Sequence, residues 1–105
     1  MIAEKAKESI DQAVAYELQN IVKNHGAQYN TPHEGYAVMA EEIEELFEAL
    51  EGIRENSSKV WKSVKINILD DTAINLIKSR VMEAAKEAVQ VAAVCDKFLS
   101  GTVHN

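Results

Sequence analysis

The sequence predicts an all-α protein built from four helices. Apolar residues recur at three- and four-residue steps over long segments, which is the spacing of a helix with one buried face. The 105 residues include only one Pro and four Gly, so few positions force the backbone to break. Ala, Glu, Lys and Leu, which favour helices, are abundant. A chain of this length has room for a single domain, residues 1–105, with one core.

Turn-forming residues separate the four predicted helices. Thr31 and Glu34 have the spacing of a capping box, and Pro32 then occupies the first helical position. The second predicted helix ends at about Glu55, and Ser57 or Ser58 would cap a short helix that carries Trp61 as an aromatic anchor. Asp70, Asp71 and Thr72 are candidate N-caps for the last helix. The predicted helices are about residues 3–23, 32–55, 58–66 and 72–100.

An apolar stripe along the second predicted helix is expected to form its core-facing side. Its members follow each other in steps of three and four residues, and two aromatic residues widen it. The stripe consists of Met39, Ile43, Leu46, Leu50 and Ile53, with Tyr36 and Phe47 beside them.

The last predicted helix is apolar on nearly every side between residues 84 and 99. A helix of this kind is usually buried all round, and three other short helices are too few to cover it. We therefore expect one side to pack within the chain and another against a second copy, in a homo-oligomer.

Charge and composition exclude several classes of function. The formal net charge is -6, from 17 acidic and 11 basic residues, so the average surface repels nucleic acid. The single cysteine, Cys95, excludes an internal disulfide. No segment resembles a signal peptide or approaches the roughly 20 apolar residues of a membrane span. We expect a cytoplasmic protein with neither a nucleic-acid nor a membrane partner.

Glutamates on the second predicted helix separate into two groups. Glu44, Glu48, Glu51 and Glu55 share a polar face, and Glu41 lies beside them. Glu42 and Glu45 fall on another flank, whose neighbours are small or apolar, and this flank is expected to be covered. Covered carboxylates need a compensating charge, for which Mg²⁺ is well suited. The alternative is an adaptor protein in which all these glutamates are solvated and serve only solubility.

The last predicted helix offers a matching flank with Glu83, Glu87 and Gln90 on one side. If Glu87 faces Glu42 and Glu45, the three carboxylates form a site between two antiparallel helices. The alternatives for Glu87 are a salt bridge to Lys86 or Arg80, or plain solvation.

These residues carry a resemblance to a known superfamily. Glu41-Glu42-Ile43-Glu44-Glu45-Leu46, followed on a later helix by Glu87-Ala88-Val89-Gln90, resembles the all-α nucleoside triphosphate pyrophosphohydrolases, which include MazG. The preceding His33-Glu34-Gly35-Tyr36-Ala37-Val38 is similar to the lead-in of small phage-type MazG-like proteins. The resemblance covers about residues 30–100 and implies a MazG-like bundle that oligomerisation completes, as a dimer or a tetramer.

The resemblance also implies a reaction and a set of site residues. The reaction is Mg²⁺-dependent cleavage of a nucleoside triphosphate, (d)NTP, to (d)NMP and pyrophosphate, with Mn²⁺ as an alternative ion. Glu42, Glu45 and Glu87 would be metal ligands, with Gln90 as the fourth. Glu41 would be a further ligand or an outer-shell base, so that the catalytic set is Glu41, Glu42 and Glu45. The cation near the phosphates would be Lys86, Lys97 or Arg80, and Tyr29 and Tyr36 are candidates for lining a base pocket.

The sequence departs from the family pattern at Gln90, where the family has Asp. A neutral amide still offers one oxygen to a metal, but it removes a negative charge. The departure motivates a rival hypothesis, in which the chain is a catalytically inactive MazG-like helical oligomer that serves as a binding or regulatory module.

Overall fold

Three α-helices make up the fold in a computed structural model that describes residues 3–102. They are α1 (Glu4–His25), α2 (Pro32–Val64) and α3 (Asp71–Ser100). The all-α prediction is therefore confirmed, but the prediction of four helices is wrong. The second and third predicted helices are one continuous element, α2.

The predicted break near Asn56 is absent because this residue makes helical contacts. Its side chain is buried, and Nδ2 donates a hydrogen bond to the Gly52 carbonyl oxygen one turn earlier, at 2.9 Å. Ser57 and Ser58 follow on the exposed side of the helix. α3 packs along α2, and such tertiary packing outweighs the weak local preference of Asn and Ser for caps and turns.

Both long helices begin with the caps that the sequence indicates. The Thr31 hydroxyl accepts a hydrogen bond from the Glu34 backbone N–H at 3.2 Å, and Pro32 is the first residue of α2. The Asp70 carboxylate accepts from the Ala73 N–H at 2.9 Å. These bonds satisfy backbone donors that a helix start leaves free, so the starts of α2 and α3 are well defined.

The helices form an elongated body rather than a compact one. α2 and α3 are an antiparallel pair joined by residues 65–70, and α1 packs on α3 without approaching α2. The body measures 61 × 31 × 22 Å, and its radius of gyration is 17.7 Å. A compact chain of this length has a radius of gyration of about 13 Å. Among residues 3–102, no helix has both the length and the apolar content that crossing a bilayer requires.

The apolar stripe of α2 is only partly covered within the chain, contrary to the sequence-based expectation. Its half-buried members are Met39, Ile43, Leu46 and Ile53. Tyr36 and Phe47 are 62% and 63% exposed, and Leu50 is also exposed. Trp61, expected as an anchor, is 60% exposed, with the Lys65 ammonium 5.9 Å from its ring centroid. The physical reason is that α3 packs on a different face of α2, which carries small residues.

The core within one chain is correspondingly thin. No large side chain is fully buried among the described residues, and four of the six buried apolar residues are alanines. On the apolar segment of α3, Ala93 and Val94 are buried, whereas Ala85, Ala88 and Leu99 are exposed. One chain alone therefore covers only one side of this segment. The buried apolar residues are Tyr29, Ala49, Ala73, Ala84, Ala93 and Val94.

Candidate metal centre

The face of α2 that packs on α3 carries small and polar residues two turns apart. Gly35, Ala49 and Asn56 are buried on this face, and Glu42 is half-buried in the same line. A Cβ at Gly35 would lie 2.8 Å from two ring carbons of Phe98, so only glycine permits this close approach of α2 to α3. The small residues bring the helices together, and Glu42 is held between them.

Three carboxylates converge at this helix pair. Glu42 and Glu45 come from α2, and Glu87 comes from α3. One carboxylate oxygen of each lies within 4.8 Å of the other two. Glu87 is buried at 8% exposure, Glu42 is half-buried and Glu45 is exposed at the edge. Glu45 is therefore less covered than the sequence suggested, and the cluster is open to solvent on its side.

No positively charged side chain among residues 3–102 forms an ion pair with these carboxylates. The salt bridge found in the described part of the chain, Lys7–Asp11, is on α1. Arg80 lines a neighbouring cavity of about 320 Å³ together with Glu45, Glu83 and Glu87, but it makes no ion pair there. A charged carboxylate that is buried without a partner is costly, so this arrangement favours a bound cation.

Burial and the close approach of the carboxylates raise the pKa values of Glu42 and Glu87. Burial raises the pKa of Glu42 above its ordinary value, and the charges of Glu45 and Glu41 raise it further. Burial also raises the pKa of Glu87, and the nearby carboxylate of Glu45 and the charge of Glu42 raise it further. Both groups therefore bind a proton more tightly than an isolated carboxyl, because burial and the neighbouring negative charges destabilise their charged form.

Gln90 lies one turn after Glu87 and touches the cluster. With its amide nitrogen toward the carboxylates, it donates hydrogen bonds to Oε2 of Glu87 at 3.0 Å and to Oε2 of Glu42 at 3.1 Å. The amide then supports two carboxylates as a donor, and the ligand role that the resemblance implies for it stays a prediction. The remaining donor set, three carboxylates with an open side for water, fits the preference of Mg²⁺ for a few carboxylate oxygens plus waters.

A cavity of about 510 Å³ adjoins the cluster. It exists because α1 and α2 both pack on α3 without meeting each other, so α3 forms the floor of a cleft between them. Glu42 and Gln90 line this cleft, and so does Lys97 two turns after Gln90. The cleft is therefore the space through which a ligand would reach the carboxylates.

The other residues singled out from the sequence have separate locations. Glu41 is exposed and outside the three-carboxylate cluster, although its charge acts on Glu42. Lys86 is exposed and lines neither of the two cavities beside the cluster. Of the three candidate cations, Lys97 alone lines the cleft together with Glu42. Tyr36 is on the outer side of α2 and does not line the cleft.

Sequence reasoning did not distinguish Lys97 from the other basic residues, although a signal was present. Lys97 follows Gln90 by seven residues, or two helical turns, so the two share a face of α3. The position of Tyr29 was harder to foresee, because it lies in the loop between α1 and α2. Its N–H donates to the Gly101 carbonyl oxygen at 2.7 Å, a contact between residues distant in sequence.

Comparisons with known proteins identify no similar protein. No protein-family model matches the chain, and no curated protein or solved structure is significantly similar to it. The resemblance to MazG-like pyrophosphohydrolases stays a prediction, based on the motifs at Glu41–Leu46 and Glu87–Gln90.

Proposed function

We propose that this protein is a Mg²⁺-dependent pyrophosphohydrolase that cleaves (d)NTP to (d)NMP and pyrophosphate. The observation that carries the proposal is the meeting of Glu42, Glu45 and Glu87 with no ion pair from residues 3–102. Three acidic groups between packed helices repel one another, and a divalent cation offsets this repulsion. Mn²⁺, which takes the same oxygen ligands, is the alternative ion.

The roles of the residues follow from their positions. Glu42 and Glu87 would hold the ion from the two helices, and Glu45 would hold it from the exposed edge. The Gln90 amide keeps the carboxylates of Glu42 and Glu87 together through its two hydrogen bonds. A bound Mg²⁺ supplies neutralisation of phosphate charge and a lower pKa for a coordinated water.

The reaction needs an attacking water and a place for its proton. The water oxygen forms a bond to phosphorus while the bond from phosphorus to the bridging oxygen breaks, and the departing pyrophosphate keeps that electron pair. The proton of the water would pass to a carboxylate, for which Glu41 is the outer-shell candidate because its charge acts on Glu42 and its side chain faces solvent.

An assay of pyrophosphate release tests the enzyme directly. A panel of NTPs and dNTPs is incubated with the protein, with and without Mg²⁺, and Glu42→Gln is compared with Glu44→Gln. Glu44 is exposed and outside the cluster, so its variant is the matched control. We expect Mg²⁺-dependent release that Glu42→Gln abolishes and Glu44→Gln preserves. Release that continues unchanged in Glu42→Gln would contradict the assignment of the site.

The hydrogen bonds of Gln90 favour a second candidate function. An amide that donates to two carboxylates neutralises part of their repulsion without a metal, and it carries one charge fewer than the Asp of the family pattern. The chain would then be a catalytically inactive helical oligomer with a binding or regulatory role. Mg²⁺ binding without release from any nucleotide would support this candidate over the enzyme.

Self-association is the second part of the proposal. Exposed apolar residues extend along most of α2 on one side of the helix, where Tyr36, Phe47, Leu50 and Trp61 follow each other in steps of eleven, three and eleven residues. A stripe of this spacing is suited to packing against another helix. Together with the thin core and the large radius of gyration, it supports burial against a second copy of the chain. We expect sedimentation to give the mass of a dimer or a tetramer.

A further inference from the structure

The cleft beside the carboxylates contains a cation that the metal site does not use. Lys97 is only 3% exposed, and its ammonium makes no ion pair with any of residues 3–102. Its nitrogen lies 4.1 Å from the centroid of the Tyr29 ring, a contact that attracts a cation without neutralising it. Lysine is seldom buried to this extent without an acidic partner, so the site favours an anion.

Tyr29 also lines the cleft, and its hydroxyl is a second group without a partner among residues 3–102. Tyr29 is 3% exposed, and its hydroxyl is buried and makes no hydrogen bond in the described part of the chain. Leaving such a group unpaired costs free energy, and a ligand that accepts its hydrogen bond recovers that cost. The hydroxyl and the Lys97 ammonium are both donors, and both belong to residues that line the cleft.

The packing around Tyr29 fixes its ring. Its N–H donates to the Gly101 carbonyl oxygen, and its ring packs edge-on against Phe98 with centroids 6.1 Å apart. A Cβ at Gly101 would overlap the Ala27 carbonyl oxygen, so the loop before Tyr29 lies directly on the end of α3. The two donors are therefore held in place before any ligand binds, which limits the entropy that binding loses.

The spacing along α3 relates these donors to the carboxylate cluster. Gln90, which contacts the cluster, and Lys97 are two turns apart, or about 10 Å along the helix axis. Glu17, Glu34 and Glu42 also line the cleft, so its walls repel a bare anion. An anion that arrives together with a divalent cation at the carboxylates avoids this repulsion.

We infer that Lys97 and Tyr29 form an anion subsite that binds phosphoryl oxygens of a polyphosphate whose divalent cation is held by Glu42, Glu45 and Glu87. This assignment rests on the function proposed above and names the part of the site that recognises the phosphate chain. It selects Lys97 over Lys86 and Arg80 because Lys97 alone combines burial, the absence of an ion pair and a place in the cleft with Glu42.

Titration calorimetry with two probes, Mg²⁺ alone and magnesium pyrophosphate, tests the subsite. The variants are Lys97→Met and Tyr29→Phe, with Lys86→Met as the matched control from the exposed side of α3. We expect Lys97→Met to weaken binding of magnesium pyrophosphate by about tenfold or more, the usual scale for a hydrogen bond to a charged group. Tyr29→Phe should weaken it by about three- to tenfold. Neither variant should weaken binding of Mg²⁺ alone, and Lys86→Met should match the wild type with both probes.

The results of this calorimetry distinguish failure of the subsite from failure of the proposed function. Pyrophosphate affinities of Lys97→Met and Tyr29→Phe that equal the wild-type affinity would overturn the subsite, as would a wild type that does not bind pyrophosphate. If Mg²⁺ binds the wild type no better than it binds Glu42→Gln, while pyrophosphate binding still depends on Lys97, the metal site fails and the subsite stands. If Lys97→Met does not fold, Tyr29→Phe decides the question, because it removes only one oxygen atom.

Discussion

Two faces of α2 differ in a way that reverses the usual pattern of a helix in a soluble protein. The face against α3 carries Gly35, Ala49 and Asn56, all buried, in line with the half-buried Glu42. A second face carries large apolar side chains such as Phe47, which is exposed. Large apolar residues normally face the core and acids face water. Here one acid, Glu42, lies on the inner face of α2, whereas large apolar side chains lie on the outer face.

The proposed function gives each face a partner, a divalent cation for the inner face and a second copy of the chain for the outer face. Small residues on the inner face let α3 approach closely, and the carboxylates brought together there are the metal ligands of the proposed function. The apolar residues of the outer face lose contact with water only if another helix covers them. The proposed function assigns metal binding to the inner face and self-association to the outer face, and variants on each face perturb one without the other.

A charge placed on the outer face should have the largest effect. We expect Phe47→Lys to raise the dissociation constant of the oligomer at least about hundredfold, because a two-fold interface loses a buried Phe from each copy. Glu44→Gln changes the charge by the same single unit on the solvated face and is the control. Sedimentation over a dilution series measures the effect. A wild type that is monomeric at every concentration would contradict burial of this stripe by a second copy.

A methyl group added to the inner face should have a smaller effect that depends on position. In Gly35→Ala, the new Cβ would lie 2.8 Å from the Phe98 ring, and we expect a net loss of about 1–2 kcal/mol in the free energy of unfolding. In Gly52→Ala, the nearest atom is Nε of Arg80 at 3.2 Å, on a flexible side chain that has room to move. We expect Gly52→Ala to be neutral or to gain up to about 1 kcal/mol from helix propensity.

Urea unfolding of the two alanine variants, at a protein concentration that keeps the assembly constant, measures this difference. If Gly35→Ala has the same free energy of unfolding as Gly52→Ala, this result would contradict the close approach of α2 to α3 at Gly35.

The smallest expected effect is on the pH dependence of stability without metal. The pKa values of Glu42 and Glu87 are raised in the folded state, so the native protein binds their protons more tightly than the unfolded chain does. The contribution of these groups to the free energy of unfolding is therefore lost as the pH rises from the ordinary carboxyl pKa of 4.5 through their raised pKa values. We expect Glu42→Gln to gain stability over the wild type across this range in the presence of a chelator.

Thermal unfolding at a series of pH values measures the difference in melting temperature between Glu42→Gln and the wild type. If this difference becomes smaller as the pH rises, the charged form of Glu42 is stabilised by a fixed cation of the protein, which would contradict the prediction.

The sequence was sufficient for the fold class and for the start of α2, because these depend on local chemistry. Thr31, Pro32 and Glu34 cap α2 as their spacing indicates. The continuity of α2 through Asn56 was not predictable, since the contact with α3 that outweighs the local break signal is between residues distant in sequence.

The residues of the candidate site also fall into two groups, those that helical spacing predicts and those that only the tertiary structure brings together. Glu42, Glu45 and Glu87 were identified from helical spacing, which fixes the residues that share a face. The same spacing left open which face of α2 would meet α3, because a periodic pattern does not reveal whether its apolar stripe is covered within the chain or by another copy. Lys97 and Tyr29 required the tertiary structure, since a loop and the end of α3 bring them together.

The most direct test of the central claim is the response of thermal stability to Mg²⁺ in the wild type and in Glu87→Gln. A ligand that binds only the folded state raises the melting temperature. We predict that Mg²⁺ raises it in the wild type and leaves it unchanged in Glu87→Gln, and that this variant melts above the wild type when a chelator is present. A melting temperature that does not respond to Mg²⁺ in the wild type, or that rises equally in both proteins, would contradict a metal site at these carboxylates.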